Sequence, residues 1–450
     1  MSCRQQVGIT SSQYVSEICD LLPSNEGRQS LVSSLICSYN LLHYCTIIPI
    51  QRASRLQLEK FHSDDFVTAL LERRTDIDKA SPKYNNLLSH RKTNFFKDRP
   101  QRQSKLEPSI DINKFGDEIA KKVEESSEDE WESDKDSSLD SGDSDSNPLN
   151  EYNLDTYGLQ YDCYVFPFMA DYVSLVAGST ISTAEYLIYQ HRIGNKSSVG
   201  INWYGGRHHC TKNMASGFCY VNDIVLGINK LRMYFPTVFY IDMDLHHGDG
   251  VESAFKFSNK VVTCSMHRYD VGFYPGTGKD TVKSKVINIP TRKGLGDNSL
   301  LFLVERIILP AISGYKPSVI VLQLGADGLA LDEHKQWNLT IKGFAAAVKL
   351  LLENCGDIPV MVLGGGGYNH TETAKCWTYI TKIILESSLD KEITMEEAYI
   401  NIPEHDFLDS YCDDGYKFWT ESNSTPSKMK DTNDMEYLET LQNNILKEFL

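Results

Sequence analysis

Residues 238–250 read Val-Phe-Tyr-Ile-Asp-Met-Asp-Leu-His-His-Gly-Asp-Gly. A near-continuous apolar run, without polar alternation, is what a strand needs when helices cover both faces of its sheet. The run then gives way to carboxylates, imidazoles and a Gly-Asp-Gly turn, as a buried strand does when its carboxyl end opens onto a site. Asp244 and His246 are two residues apart. Alternate residues of an extended chain face the same side, so both can reach one metal ion. Thr237–Asp242 is one of six such runs, with Ser198–Trp203, Val261–Met266, Val286–Ile289, Ser318–Leu324 and Pro359–Leu363. Helix-length segments separate them, at Ser216–Tyr234, Ser299–Ile312, Ile341–Asn354 and Thr371–Glu386. The alternation predicts an α/β fold: an open, mostly parallel sheet with helices on both faces and its site at the strand carboxyl ends.

The N-terminal part reads differently. Residues 14–70 look helical, with Leu31, Leu35, Tyr39 and Leu42 at helical spacing and Phe61–Phe66 opening a further helix. They belong with residues 158–450 to one domain (1–71 and 158–450), and residues 72–157 are read as an insert, basic and then acidic. Between Glu124 and Asp145 stand eleven acidic residues against one Lys, mixed with serines. Such a stretch, taken as about 124–148, buries too little to be ordered. Two uses fit it: sites for acid-directed kinases, or solvated filler.

The formal net charge of −16 argues against a nucleic-acid-binding surface, which needs Lys and Arg. No apolar stretch is long enough to span a bilayer, and the first residues lack a secretory apolar core. The eleven cysteines form no Cys-x-x-Cys pair; Cys37, Cys264 and Cys376 read as small core residues. Together these indicate a reducing compartment, the nucleus or the cytoplasm.

Four clusters follow strand signals: Gly205-Gly206-Arg207-His208-His209, Asp244 with His246, Gly325-Ala326-Asp327, and Gly364–Gly367 with Tyr368. Each alone is weak. A histidine pair is often superficial, and the glycine run lacks the Lys-Ser/Thr of a phosphate loop. Together they make one coherent set. Asp-His-Asp suits Zn²⁺ with a position left open, and Fe²⁺ accepts the same donors. Two carboxylates nearly neutralise a divalent ion, so the ion needs help from a base and an oxyanion donor. His208, His209 and Tyr368 supply these, and the set fits amide hydrolysis.

The chain resembles the class I histone deacetylases, zinc-dependent lysine deacetylases of the arginase-like fold. The resemblance rests on Gly205-Gly206-x-His208-His209, Ser216–Asp223, Asp242–Gly250, Pro275-Gly276-Thr277-Gly278 and Gly364–Tyr368. It implies Asp244, His246 and Asp327 as zinc ligands, and His209 as general base and then acid. It makes His208 an electrostatic partner, with Asp249 orienting His209, Asp242 orienting His208, and Tyr368 the oxyanion donor. Gly217, Phe218 and Tyr274 would line the tunnel for the lysine stem, and Asp162 would hold the substrate backbone at the rim. A structural K⁺ would use Asp242, Asp244, His246, Ser265 and Met266, and Arg28 would stand in an inner cavity below the metal.

Several positions depart from that pattern. Tyr274 stands for a tunnel Phe, Tyr164 for a Pro, and His334 for a rim Leu. Asn25, Glu333 and Thr371 stand where the family's inositol-phosphate and corepressor surface is basic, which puts that mode of assembly in doubt. The pattern is similar to the divergent fungal Hos-type branch. It implies a nuclear enzyme acting on an acetylated protein, either a histone tail or the cohesin ring subunit. The reading from another class is a catalytically inactive scaffold that binds acetyl-lysine; such proteins usually lose a ligand or the Tyr. A two-metal ureohydrolase would need an Asp at position 329, which is Leu.

Overall fold

The computed structural model describes residues 6–92, 154–279, 282–389, 393 and 401–450. Among these, nine strands form one sheet: β1 (Val7–Thr10), β2 (Thr46–Ile48), β3 (Val199–Asn202), β4 (Val238–Asp242), β5 (Val261–Arg268), β6 (Val282–Lys283), β7 (Val286–Thr291), β8 (Val319–Gln323) and β9 (Val360–Leu363). Their order is β2-β1-β3-β9-β8-β4-β5-β7-β6, and only β6 with β7 is antiparallel. All six predicted strands are present, within a few residues of the expected ends.

The continuous apolar character of the strands follows from the two layers that cover them. Phe239 and Ile241 of β4 join a core with Leu322 and Trp377, while Val238 and Tyr240 join another with Ile224 and Val225. Alternate residues thus bury on opposite faces. The strands that carry the four clusters, β3, β9, β8 and β4, are consecutive in the sheet. From β4 the chain goes on to β5 on one side, and from β8 to β9 on the other. The loops after these two neighbours diverge and open a crevice at their carboxyl ends.

The predicted helix Ser216–Tyr234 is shorter in the structure, Asp223–Leu231. Gly217 and Phe218 have φ of 53° and 62°, a left-handed backbone that a right-handed helix excludes. Asn222 caps the helix by accepting from the Val225 N–H. His62 fixes this turn from below. Its Nδ1 donates to the Lys212 carbonyl at 3.2 Å, and its Nε2 accepts from the Asn222 N–H at 3.1 Å. Burial pushes the His62 pKa down to about 4 from its ordinary 6.5. The unfolded chain therefore binds the extra proton, and stability falls as pH drops from about 6.5 toward about 4. Denaturant titrations at pH 7.5 and 5.0 should show wild type losing ~2 kcal/mol more than His62→Gln. Equal losses would rule out the assigned neutral state.

The N-terminal helices are Gln13–Cys19, Arg28–Ser38 and Asp64–Leu71. The reading of 14–70 as helical is corrected at β2, a β-branched triplet that pairs with β1 at the sheet edge. Residues 75–92, inside the segment read as an insert, form helices Thr75–Ala80 and Tyr84–Lys92. Asp78 accepts the Phe168 N–H at 2.7 Å and Leu87 is fully buried, so these helices pack on the domain. The acidic run 124–148 lies outside the described residues. Cys264 and Cys376 are buried as expected, but Cys37 is exposed on the outer side of its helix. The C-terminal helix Met435–Phe449 packs through Leu438, Leu441 and Ile445. No helix of the described residues is long and apolar enough to cross a membrane.

Candidate active site

Asp244 and His246 leave the end of β4, and Asp327 stands beyond β8, the neighbouring strand. All three are buried, and one donor atom from each lies within 4.8 Å of the others. His246 Nδ1 is 3.0 Å from Asp327 Oδ2 and 3.4 Å from Asp244 Oδ1. Each carboxylate is held by its other contacts. Asp244 Oδ2 accepts from Gln323 Nε2 (2.9 Å) and from the Gly366 N–H (2.8 Å), and Asp327 Oδ1 accepts from the Leu245 N–H (3.0 Å). The glycine run after β9 is explained by this approach: a Cβ on Gly366 would stand 2.4 Å from Asp327 Oδ2. Burial and the adjacent Asp244 charge lift the Asp327 pKa to about 6. Two buried carboxylates and an imidazole nitrogen converging on one point are a donor set for a divalent cation. Among the described residues this is the one cluster with such spacing. Leu329 lies in the apolar core, so no carboxylate stands there for a second ion.

Two carboxylate–imidazole pairs flank this cluster. His208 Nδ1 is 2.9 Å from Asp242 Oδ2, which also accepts from the Tyr240 hydroxyl at 2.6 Å. His209 Nδ1 is 2.7 Å from Asp249 Oδ1. In each pair the Nδ1–H donates to the carboxylate, which leaves Nε2 for the pocket. The environments of the two rings differ. Burial opposes charge on His208, but the carboxylates of Asp242 and Asp244 outweigh it and raise its pKa to about 9. Burial, reinforced by the charge of His208, pushes His209 down to about 4. The carboxylates thus favour the charged form of His208 while burial favours the free base at His209, a division typical of acid–base sites.

The walls come from three loops. Phe218 faces Tyr368 with ring centroids 5.8 Å apart, and Tyr274 meets His209 edge-on at 5.0 Å. Phe273 stacks on His246 at 5.4 Å, and the sequence reading had passed it over. The Tyr274 hydroxyl pairs with Ser216 Oγ at 2.7 Å, so the wall is polar there. Gly217 is required, because a Cβ would lie 2.4 Å from the His209 ring. Its N–H donates to Asp162 Oδ2 at 3.0 Å, which places exposed Asp162 at the mouth. His334 sits over both His246 and Tyr368, at 5.0 and 4.8 Å. Buried Asp332 accepts from the Tyr368 N–H at 2.7 Å and from His334 Nδ1 at 3.0 Å, and so positions both. Burial keeps the Tyr368 hydroxyl protonated, with its pKa well above the ordinary value.

His208, His209, Asp244, His246 and Tyr368 line one pocket; Asp327 completes the cluster with Asp244 and His246, and Asp242 and Asp249 hold the two histidines. Ser265 and Met266 lie on β5, where Ser265 is in register with Asp242 of β4. Arg28 lies behind the glycine run, donating to the Gly365 and Gly367 carbonyls. Asn25 is buried among the residues that line the pocket, not on an outer surface, whereas Glu333 is exposed. Asp223, inside a recognised motif but given no role, accepts from the Gly206 and Arg207 N–H groups and holds the histidine loop.

The histone deacetylase domain matches residues 22–384. The chain belongs to the histone deacetylase family. Histone deacetylase 8 of Xenopus tropicalis is 34% identical over 446 residues, covering 98% of this chain and 96% of that one. The histone deacetylase HOS1 of Saccharomyces cerevisiae is 30% identical over 469 aligned positions, covering 96% and 98%. Histone deacetylase 8 of Xenopus laevis is 41% identical over 299 residues, 64% of this chain and 86% of that one. These relationships place the deacetylase in class I, with the arginase-like fold. It is a hydrolase of acetyl-lysine amides, from a family that is generally metal-dependent.

Proposed function

We propose that this deacetylase is zinc-dependent and removes acetyl groups from lysines of chromosomal proteins in the nucleus. Histone tails are the first substrate class, and the acetylated cohesin ring subunit is the second. The observation that carries the reading is the convergence of His208–Asp242, His209–Asp249 and Tyr368 on the Asp244/His246/Asp327 donors. Zn²⁺ held by those donors would polarise the acetyl carbonyl and acidify a water, and Fe²⁺ would suit the same donors. A K⁺ beside Asp242, Asp244, His246, Ser265 and Met266 would brace the loop after β4.

The chain's own residues do the rest. Phe218, Tyr274 and Gly217 confine the apolar lysine stem, and Asp162 at the mouth accepts from the substrate backbone. His209, held by Asp249, takes a proton from the attacking water through Nε2 and returns one to the leaving lysine amine. His208, held as a cation by Asp242, offsets the negative charge that gathers at the carbonyl. The Tyr368 hydroxyl donates to the same oxygen as it becomes an oxyanion.

Tyr368→Phe should lower kcat by ~10²-fold or more on an acetyl-lysine peptide while leaving peptide binding within a few-fold, the cost of losing one oxyanion donor. Steady-state kinetics with a fluorescence binding assay check this. A full rate would remove Tyr368 from the mechanism. For the physiological substrate, acetyl-lysine proteomes with and without the protein should differ at histone or cohesin lysines. No change at either would overturn the substrate assignment.

A further inference from the structure

The end of the sheet opposite the pocket carries an exposed face that is both apolar and basic. β3, β4 and β5 run parallel to their neighbours, so their amino ends lie on the side away from the pocket. Three helices end there, ahead of these strands: Met169–Arg192, Asp223–Leu231 and Asp249–Phe255. The segments that follow them meet. The His191 and Phe235 rings are 5.0 Å apart, the Arg192 guanidinium lies 4.2 Å from the Tyr234 ring, and that of Arg232 lies 6.0 Å from the Phe255 ring. On this surface Ile193 is 48% exposed, Tyr234 45%, Met233 70% and Phe257 88%. Arg192, Lys196, Arg232, Lys256 and Lys260 stand among them, all exposed. Residues 189–198, 229–237 and 255–261 contain no Asp or Glu, in a chain of net charge −16. Lys230 there pairs with Glu185 at 2.6 Å. Among the described residues the other five cations have no carboxylate partner.

Ordinary causes account for part of this. Cations are favoured beside the carbonyls at a helix C-terminus, and single apolar side chains are common on any surface. Neither accounts for four large apolar side chains set together among five unpaired cations. Apolar anchors within a charged rim are the anatomy of a protein interface. The charge then sets the sign of the partner, which must bring carboxylates or phosphates. A nucleic acid would bring phosphates, but Ile193 and Met233 offer its bases no ring to stack on, and the net charge of −16 opposes a long polyanion. A short acidic segment with bulky apolar residues satisfies both features. From β3 to β5 there are four strand spacings, ~19 Å, the length of a helix of ~13 residues.

We propose that Ile193, Met233, Tyr234 and Phe257 form a docking surface for an acidic, amphipathic segment of a partner protein. Its apolar residues cover these four side chains, and its carboxylates pair with Arg192, Arg232 and Lys256. An occupant at the strand amino ends leaves the mouth of the pocket open, so the surface tethers the enzyme without blocking it. The inference does not depend on the deacetylase reading.

The test pans the full chain against a displayed library of random peptides about 16 residues long, enough for the helix that spans the face. Enriched peptides should carry more Asp and Glu than Lys and Arg, together with large apolar residues. Fluorescence polarisation with the synthesised peptides should show binding weakened by ~tenfold or more in the double variant Met233→Ser, Phe257→Ser, and again in Arg232→Glu. Added salt should weaken wild-type binding as well. The substituted side chains are exposed, so melting temperature and turnover of an acetyl-lysine peptide should stay at the wild-type level. Failure to enrich any peptide, peptides without an acidic excess, or binding indifferent to both variants overturns the inference. A single-stranded DNA oligonucleotide that binds more tightly than any peptide, and less tightly to Arg232→Glu, makes the face a nucleic-acid surface and overturns it. Wild-type dimers in sedimentation that the double variant dissolves make the occupant a second copy of this chain and also overturn it.

Discussion

Asp327→Asn should abolish turnover without unfolding the protein. The amide keeps an oxygen for the Leu245 N–H, which Asp327 Oδ1 now holds at 3.0 Å. It loses the charge that, with Asp244, offsets a divalent ion. Loss of an outer partner of a metal site costs ~10–100-fold in affinity, and loss of a ligand charge should exceed that. Elemental analysis after dialysis should therefore find about one zinc per wild-type chain and ~0.1 or less in the variant. The metal-free variant should melt no lower than metal-free wild type, because one of two adjacent buried carboxylates is neutralised. Full metal content with full activity would move the metal elsewhere.

His209→Ala should lower kcat by ~10²–10⁴-fold with little change in KM, the range for a proton-transfer residue. The substitution leaves Asp249 with the Gly250 N–H at 3.0 Å, so the helix that begins at Asp249 keeps its start. The metal donors touch the neighbouring ring: His208 Nε2 is 3.8 Å from Asp244 Oδ1. Zinc content should therefore stay at the wild-type level, which separates this variant from Asp327→Asn. A loss confined to KM would make His209 a binding residue.

The residues that react were legible because they cluster at strand ends, where a change from apolar to ligand-type residues shows in the sequence itself. Asp244, His246, Asp327, His208, His209 and Tyr368 all have that signature. What was not legible depends on contacts between distant segments. Arg207 was given no role between Gly-Gly and His-His, and only the fold shows it buried beside Asn25 and Arg28. Asp332 carried no signal beyond being one acidic residue in a loop, yet it holds the Tyr368 backbone. β1 and β2 have four and three residues, too short for a period to show. The helix boundary at Asp223 was missed because Phe218 looks like an ordinary helix residue until its positive φ is seen. Residues 75–92 were set apart by their basic composition, although the buried Leu87 and the Asp78 contact tie them to the domain.

The position of β9 also bears on how the molecule is made. Residues 360–363 form the strand between β3 and β8. A ribosome delivers β1–β3 and then β4–β8 well before it, so the emerging chain holds two partial sheets with unpaired inner edges. Such edges invite pairing with other chains until they are closed. The closing strand is followed directly by the glycine run and Tyr368. The same short segment therefore seals the sheet and completes the pocket, and a chain halted before it would be both adhesive and inert.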